Sequence, residues 1–355
     1  MDKLSSCNKQ FLNRINEIKK HIEMTMLQND LLNDIYYLVK NDEQKEYIHY
    51  LKSLNTSTIQ YNAIIISLYG CFENYIVDLL SCYTDIMFKY TGHYNDLPKS
   101  VKEKYTCKIG EYLTSPNKFS SLDLNVNSVI NNFSNILCSN FDGNLNKEFL
   151  LAHSGNLKSG QIFKLLHDFS IISNDDEVYQ SASLKNYHLN IRGLDEDSYK
   201  IKVKRKSNDL FEPLNELIDK RNAVAHSWSI DNRISVHNLI TYTIPFLKHL
   251  SETILRLLFI KVFEYINEYS FEQRKPIAVY NKHILCINSQ KNEIHKGDYV
   301  FYKNKHGKVI CSKILKIEVE NKEVENVTGK SIDIGIELDC HIKDTDEICY
   351  CFNNS

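Results

Sequence analysis

The sequence predicts a helical bundle with extra N-terminal helices, followed by a small C-terminal all-β domain, a barrel or a sandwich. Three observations point there. Breakers are scarce, with 11 Gly and 5 Pro in 355 residues, which favours long helices. Apolar residues recur three or four apart through most of the first 270 positions, the helical period. Past about residue 271 the recurrence shortens to every second residue and polar turns interrupt it, the grammar of short strands. The expected domains are therefore 1–270, helical, and 271–355, β-rich.

Residues 8–42 read as helix, with Phe11, Ile15, Ile18, Ile22 and Met26 on one stripe and Leu31, Leu32, Ile35 and Leu38 resuming it after a break near Asn29. Lys45–Leu54 is a charged helical stretch. A stronger helix spans Thr58–Tyr90, with Ser57 as its N-cap. Its stripe is Ile64, Leu68, Phe72, Tyr75 and Leu79, widened by Ile65, Ile76 and Val77. Glu73 sits inside that apolar face, either as an edge residue or as part of a site or dimer contact. Residues 91–200 are less regular. Thr91–His93 and Pro98 mark a loop, Val101–Leu113 a short helix, Thr114–Ser121 a turn and Ser128–Cys138 another helix. The turn Ala152–Leu157 feeds a helix over Ser159–Ser170, and Ser173–Asp176 closes it. The run Tyr199–Lys206, YKIKVKRK, alternates in part and reads as a short strand or extended arm. Its Lys200, Lys202, Lys204 and Arg205 are either a solvated surface or an RNA-backbone contact.

Leu214–His226 follows, an amphipathic helix with Pro213 in its first turn, where a missing N–H costs nothing. Leu214, Leu217, Ile218 and Ala225 are expected on the core side. Asn215, Asp219, Asn222 and His226 make one polar stripe, with Arg221 at the border. A guanidinium, a carboxamide and an imidazole converge on the last turns, a fit for anionic or phosphorylated ligands. Ser227–Asp231 turns the chain into a long apolar helix over Ser235–Tyr269, kinked at Pro245 and expected antiparallel to Thr58–Tyr90. After the linker Glu272–Pro276, strands are expected at Ile277–Tyr280, Ile284–Ile287, Asp298–Tyr302, Val309–Glu320, Ser331–Leu338 and Ile348–Phe352.

Composition limits the function classes. With 43 Lys+Arg against 45 Asp+Glu no global field attracts nucleic acid, so such binding must be local. The N-terminal stretch lacks a signal-peptide core, and no uninterrupted apolar run reaches the membrane-spanning length. The ten cysteines show no C-x-x-C pairing. Together these predict a reducing, cytoplasmic setting, no membrane, and mostly buried thiols. No phosphate-binding glycine loop, dinucleotide fingerprint, zinc-protease H-E-x-x-H or serine-hydrolase elbow occurs. Cys340-His341 with Cys349 and Cys351 has no common zinc spacing, so no metal or other cofactor is expected.

The segment Arg221-Asn222-Ala223-Val224-Ala225-His226, R-N-x-x-x-H at a helix end, resembles the signature of the HEPN superfamily. FEPLNELIDKRNAVAHS is similar to that family's helix leading into the motif, and IISLYGCFENYIVDLL to its aromatic-plus-acidic early helix. AHSGNLKSGQIFKLL resembles the "H-x-x-N, then helix" piece of a bacterial branch linked to toxin and phage-defence systems. The resemblance covers roughly residues 57–265. It implies a helical homodimer with a composite site, cutting RNA without metal to leave a 2′,3′-cyclic phosphate and a 5′-hydroxyl. Arg221, Asn222 and His226 are then the catalytic group. Supporting residues are Glu73, His153, Asn156, Asp219 (tuning His226, or simply ion-paired), Lys202, Lys204 and Arg205. The role implied is toxin or anti-phage effector, with the β domain reading a target, a regulatory protein or an antitoxin. The alternative is a non-catalytic dimer acting as a nucleic-acid- or protein-binding module.

Overall fold

The computed structural model describes residues 1–55, 57–122, 124–138, 145–152, 155–226, 232–266, 275–289, 293–329 and 331–352. Helices dominate and a strand-rich C-terminal part follows, as the sequence predicts. The described chain divides into two compact units: residues 6–82 with 98–253, and residues 1–5, 83–97 and 254–355.

The helices are α1 (Asp2–Leu38), α2 (Asp42–Asn55), α3 (Thr58–Thr91), α4 (Lys99–Thr114), α5 (Val126–Cys138), α6 (Lys147–Leu151) and α7 (Ser159–Asp168). Short α8 (Asp176–Tyr179) and α9 (Ala182–Asn186) lead to α10 (Glu196–Lys204) and α11 (Glu212–His226). A single turn, α12 (Val236–Asn238), precedes α13 (Ile244–Ile266).

In the first unit α3 is the axis. Ile64, Leu68, Phe72, Tyr75 and Leu79 are all buried, and the Ser57 hydroxyl caps the helix by accepting from Gln60 N–H at 3.1 Å. α1 lies antiparallel to it: Phe11 stacks on Tyr75 at 4.4 Å between ring centroids, while His21 meets Gln60 at 2.8 Å. α1 runs unbroken through Asn29, where a break was expected. The loss of apolar stripe there marks the helix leaving the core, since Met24, Leu27 and Leu31 are exposed. Asn29 instead accepts a hydrogen bond from Asn55 of α2 at 3.1 Å.

The segment after the motif helix runs parallel to α3, not antiparallel. Ile234 N–H donates to the Tyr61 hydroxyl at 3.0 Å, and further along both helices the Tyr75 hydroxyl reaches the Ser251 carbonyl at 3.0 Å. The antiparallel expectation borrowed the short-loop rule of bundles. Well over a hundred residues separate these two helices, so that rule has no hold. Pro245 is accommodated by a π turn over Leu239–Thr243 immediately before α13, a wider turn of the kind found where a regular helix is interrupted.

The YKIKVKRK run is helix, not strand. Asp195 caps α10 by accepting from Ser198 N–H at 2.8 Å. Glu196 and Asp197 then occupy the first turn and Lys202 and Lys204 the last, the charge order a helix dipole favours. Ala225 is exposed rather than on the core side of α11. The thiols also depart from expectation: Cys311 is buried, Cys107 and Cys138 are exposed, and Cys7, Cys71, Cys82, Cys286 and Cys340 are half-buried. The stretch Asp42–Thr91 contains a window of mean hydropathy 1.5, long and apolar enough to cross a membrane by composition, with 56% of that window buried inside the protein. The expectation of none counted only unbroken apolar runs, which Tyr, Ser and Gly interrupt here.

In the second unit all six expected strands form: β1 (Ala278–Tyr280), β2 (Ile284–Asn288), β4 (Tyr299–Lys303), β5 (Val309–Val319), β8 (Asp333–Leu338) and β9 (Glu347–Phe352). Short β3 (Ile294–His295), β6 (Lys322–Val324) and β7 (Asn326–Val327) were not anticipated. Pairing is antiparallel in the order β1-β2-β8-β5-β4-β9. β5 pairs with β4 through its first half and with β8 through its second, with a register shift between Ile314 and Lys316. That irregularity curls the sheet into a half-barrel around Leu285, Val300, Tyr302, Ile317 and Ile336. β4 is buried on both faces. Tyr299 and Phe301 meet Phe259 and Phe263 of α13, the last pair stacked at 4.9 Å. Ser227–Asp231, the part of the expected helix beyond residue 266, and the expected linker residues Glu272–Arg274 lie outside the described residues.

Candidate active site

α11 is anchored by Leu214, Leu217 and Ile218, all buried. Its polar stripe is therefore turned toward the chain that enters α7. Three of the four stripe residues are matched there, rung by rung. Asn215 accepts from Ser159 N–H at 3.2 Å, Asp219 pairs with Lys158 at 2.6 Å, and the Asn222 carboxamide oxygen accepts from Asn156 at 2.6 Å. The ladder works because residues 215, 219 and 222 repeat at helical spacing while residues 156–159 run alongside.

The same Asn222 oxygen accepts from Arg221 Nη1 at 3.3 Å. The Arg221 guanidinium lies 5.1 Å from the Tyr69 ring centroid, inside cation–π range. Tyr69 is the residue that sequence reasoning missed. From α3 its hydroxyl donates to Glu73 at 2.7 Å and accepts from the buried Leu157 N–H at 3.2 Å. Burial foremost, and the Glu73 hydrogen bond next, raise its pKa, so the proton stays on the phenol. One side chain thus supports the arginine with its face and the entry loop with its oxygen. The signal available was the Tyr69–Glu73 pair, two polar-tipped side chains one turn apart within a core stripe.

Of the sequence-predicted residues, Arg221, Asn222, Asn156 and Glu73 are brought into this one cluster. Asp219 adjoins it, held by Lys158. His226 ends α11 exposed, one turn beyond Asn222. His153 lies outside the described residues. The basic residues of α10 are engaged elsewhere: Lys202 pairs with Asp209 at 2.7 Å, and Lys200 with Glu196 and Asp197 at 3.6 and 3.1 Å. Lys204 and Arg205 are exposed at the end of α10. Among the described residues no cluster of His, Cys, Asp or Glu suited to a metal ion is found; the side chains of Cys349 and Cys351 lie outside the description.

Chemically the cluster offers a fixed cation beside a carboxamide, then an imidazole open to solvent. A guanidinium beside a carboxamide can grip an oxyanion, and an exposed imidazole can move a proton. A family model described as RiboL-PSP-HEPN matches residues 9–258 of this chain. No curated protein and no solved structure matches it.

Proposed function

The chain belongs to the RiboL-PSP-HEPN family of the HEPN superfamily, and from that premise we propose that it is a metal-independent endoribonuclease working as a homodimer. In this reading Arg221 holds the scissile phosphate through two parallel hydrogen bonds and balances the charge that grows on it. The ribose 2′-hydroxyl attacks the adjacent phosphorus, the 5′-oxygen leaves, and His226 moves the proton as general acid or base. An imidazole suits that role because it changes charge near neutral pH. Asn222 orients the phosphate or the imidazole without adding charge. The need for a 2′-hydroxyl makes RNA, not DNA, the substrate. Two motifs facing each other across the dimer would complete one cleft.

The observation that carries this reading is the placement of Arg221. Tyr69 below and Asn222 beside it hold the guanidinium, with His226 one turn further on at an exposed helix end. A supported arginine on the helix that ends in an exposed imidazole supplies the two groups that phosphate chemistry uses. Asn156 and Glu73 hold the frame. A toxin or anti-phage role accords with RNA as the target, with the half-barrel reading a partner.

The test is expression of the wild type, His226→Ala and Arg221→Ala with growth and RNA integrity followed together. RNA loss and growth arrest are expected only from the wild type, with cyclic-phosphate termini and unchanged cutting in EDTA. Equal RNA integrity in all three sinks the nuclease reading. Loss of cutting in EDTA sinks the metal-free mechanism alone, and a monomer in sedimentation with full activity sinks the shared cleft.

A further inference from the structure

The antiparallel register of α1 against α3 runs from His21 and Gln60, 2.8 Å apart, through the Phe11–Phe72 ring contact to Asn8. There the Asn8 carboxamide oxygen accepts from the Tyr75 hydroxyl at 2.9 Å. One residue before Asn8 stands Cys7, and two turns beyond Tyr75 stands Cys82. That register brings the two thiols together. Their sulfurs lie 3.5 Å apart although 75 positions separate them along the chain. Both residues are half-buried.

A disulfide holds its sulfurs at about 2.05 Å, so this pair must close by roughly 1.5 Å, a movement two side chains can share. The two thiols differ in readiness to react. Burial foremost, then the hydrogen bond and charge of Cys82 and the charge of Asp78, raise the Cys7 pKa to about 12. Cys7 therefore keeps its proton while Cys82 is free. Once another sulfur caps Cys82, that residue can no longer carry charge, and its share of the effect on Cys7 is lifted.

We propose that Cys7 and Cys82 form a reversible disulfide by exchange with a small-molecule disulfide such as glutathione disulfide, stapling α1 to α3. The Cys82 thiolate attacks one sulfur of the small disulfide, giving a mixed disulfide and one released thiolate. Cys7 then gives up its proton and attacks the Cys82 sulfur, and the second small thiolate leaves as the protein S–S bond forms. Two protein thiols lose two electrons, one external disulfide is reduced to two thiols, and both protons end on the released thiols. Where glutathione keeps thiols reduced, the pair stays open at rest and closes under oxidising stress. The bridge ties off most of α1, all of α2 and most of α3 in one loop, which restricts the unfolded chain. Cys82 lies about 20 Å along α3 from Tyr69 by helical rise. The pair thus stands apart from the Arg221 cluster and does not depend on the chain cutting RNA.

The test is to incubate the folded full chain with glutathione disulfide, alkylate it, digest it and map the peptides by mass spectrometry. A linked Cys7–Cys82 peptide is expected, lost again in dithiothreitol. The urea midpoint should rise on oxidation, a rise that Cys7→Ser does not show. Cys7→Ser should stop at a glutathione adduct on Cys82. In Cys82→Ser, Cys7 should take up glutathione at least roughly tenfold more slowly than that, because its thiol holds its proton. If a serine variant does not fold by circular dichroism, alanine takes its place, and the wild-type peptide map decides by itself. The proposal is overturned by the absence of the linked peptide once the exposed Cys107 and Cys138 have reacted. A bridge from either residue to a different cysteine, a midpoint that does not rise, or a Cys7 that reacts as fast as Cys82 overturns it equally.

Discussion

Changing Tyr69 to Phe separates the two things this residue does. The ring stays, and with it the contact with the Arg221 guanidinium at 5.1 Å, a contact worth about 0.5–2 kcal/mol. The hydroxyl goes, and with it the bond to Glu73 and the acceptor of the Leu157 N–H. Leu157 is fully buried, so its N–H is left without water as a substitute, at a cost of about 1–3 kcal/mol. The loss is local to the entry loop. Hydrogen exchange at the Leu157 amide should therefore accelerate by roughly 5- to 150-fold, the same energy read as an opening constant. Urea unfolding of the whole unit should fall by no more than that energy. RNA cleavage should drop, because Asn156 rides on the same loop and holds Asn222. Tyr69→Ala should destabilise by about 3–5 kcal/mol through the cavity alone. An unaltered Leu157 exchange rate in Tyr69→Phe would show that the loop is held by something other than this hydroxyl, and the account of the site would fail with it.

Other outcomes follow from the same contacts. Asn156→Ala removes the donor to Asn222, and cleavage should fall roughly ten- to a hundredfold through misplacement of the motif, with little change in melting temperature; full activity would make the ladder decorative. Burial pushes the His188 imidazole down to about 4, only partly offset by its bond to the Leu210 carbonyl. The unfolded chain takes up that proton near 6.5, so stability should be lost as pH falls from about 6.5 to about 4, by up to about 3 kcal/mol. His188→Gln should flatten that acid limb in urea titrations at several pH values, and an unchanged limb would assign it to other groups. Lys104 acts on the alkaline side. Burial, against the pull of Asp168 and with help from Lys108 and Lys164, lowers its pKa from 10.5 to about 8. The unfolded chain holds the proton over that interval, so stability should rise from about pH 8 toward 10.5, and Lys104→Met should remove the rise.

Much of this was legible in the sequence, and the failures have separate physical causes. α3 and α11 announce themselves because one face of each is buried, which imposes the helical period on Ile64, Leu68, Phe72 and on Leu214, Leu217, Ile218. The six longer strands show for the same reason, since β8 alternates buried and open positions along its length. The direction of α13 against α3 did not show, because it depends on everything folded between them. Lys200–Arg205 misled because alternation over a few residues is weaker than a capped, dipole-matched helix start at Asp195. In the site, Arg221, Asn222, Asn156 and Glu73 were all named from the chain. Tyr69 was not, since an aromatic in a core stripe reads as packing until its neighbours in space are known.

The π turn over Leu239–Thr243 has a consequence for how this chain tolerates change. A π turn takes in one residue more than an α turn for nearly the same advance, which resets the angular phase of the helix by about 100°. Upstream, Ile234 is tied to Tyr61, and within the turn the Tyr242 carbonyl accepts from Tyr187 at 3.1 Å. Downstream, Phe246 faces Tyr187 and Phe211. Deleting a single residue here would remove the turn that accommodates Pro245 and swing one of these faces out of register with the other. Segment length at this point is therefore fixed to the residue, and the buried Leu239 and Thr243 tie the turn to the interior as well.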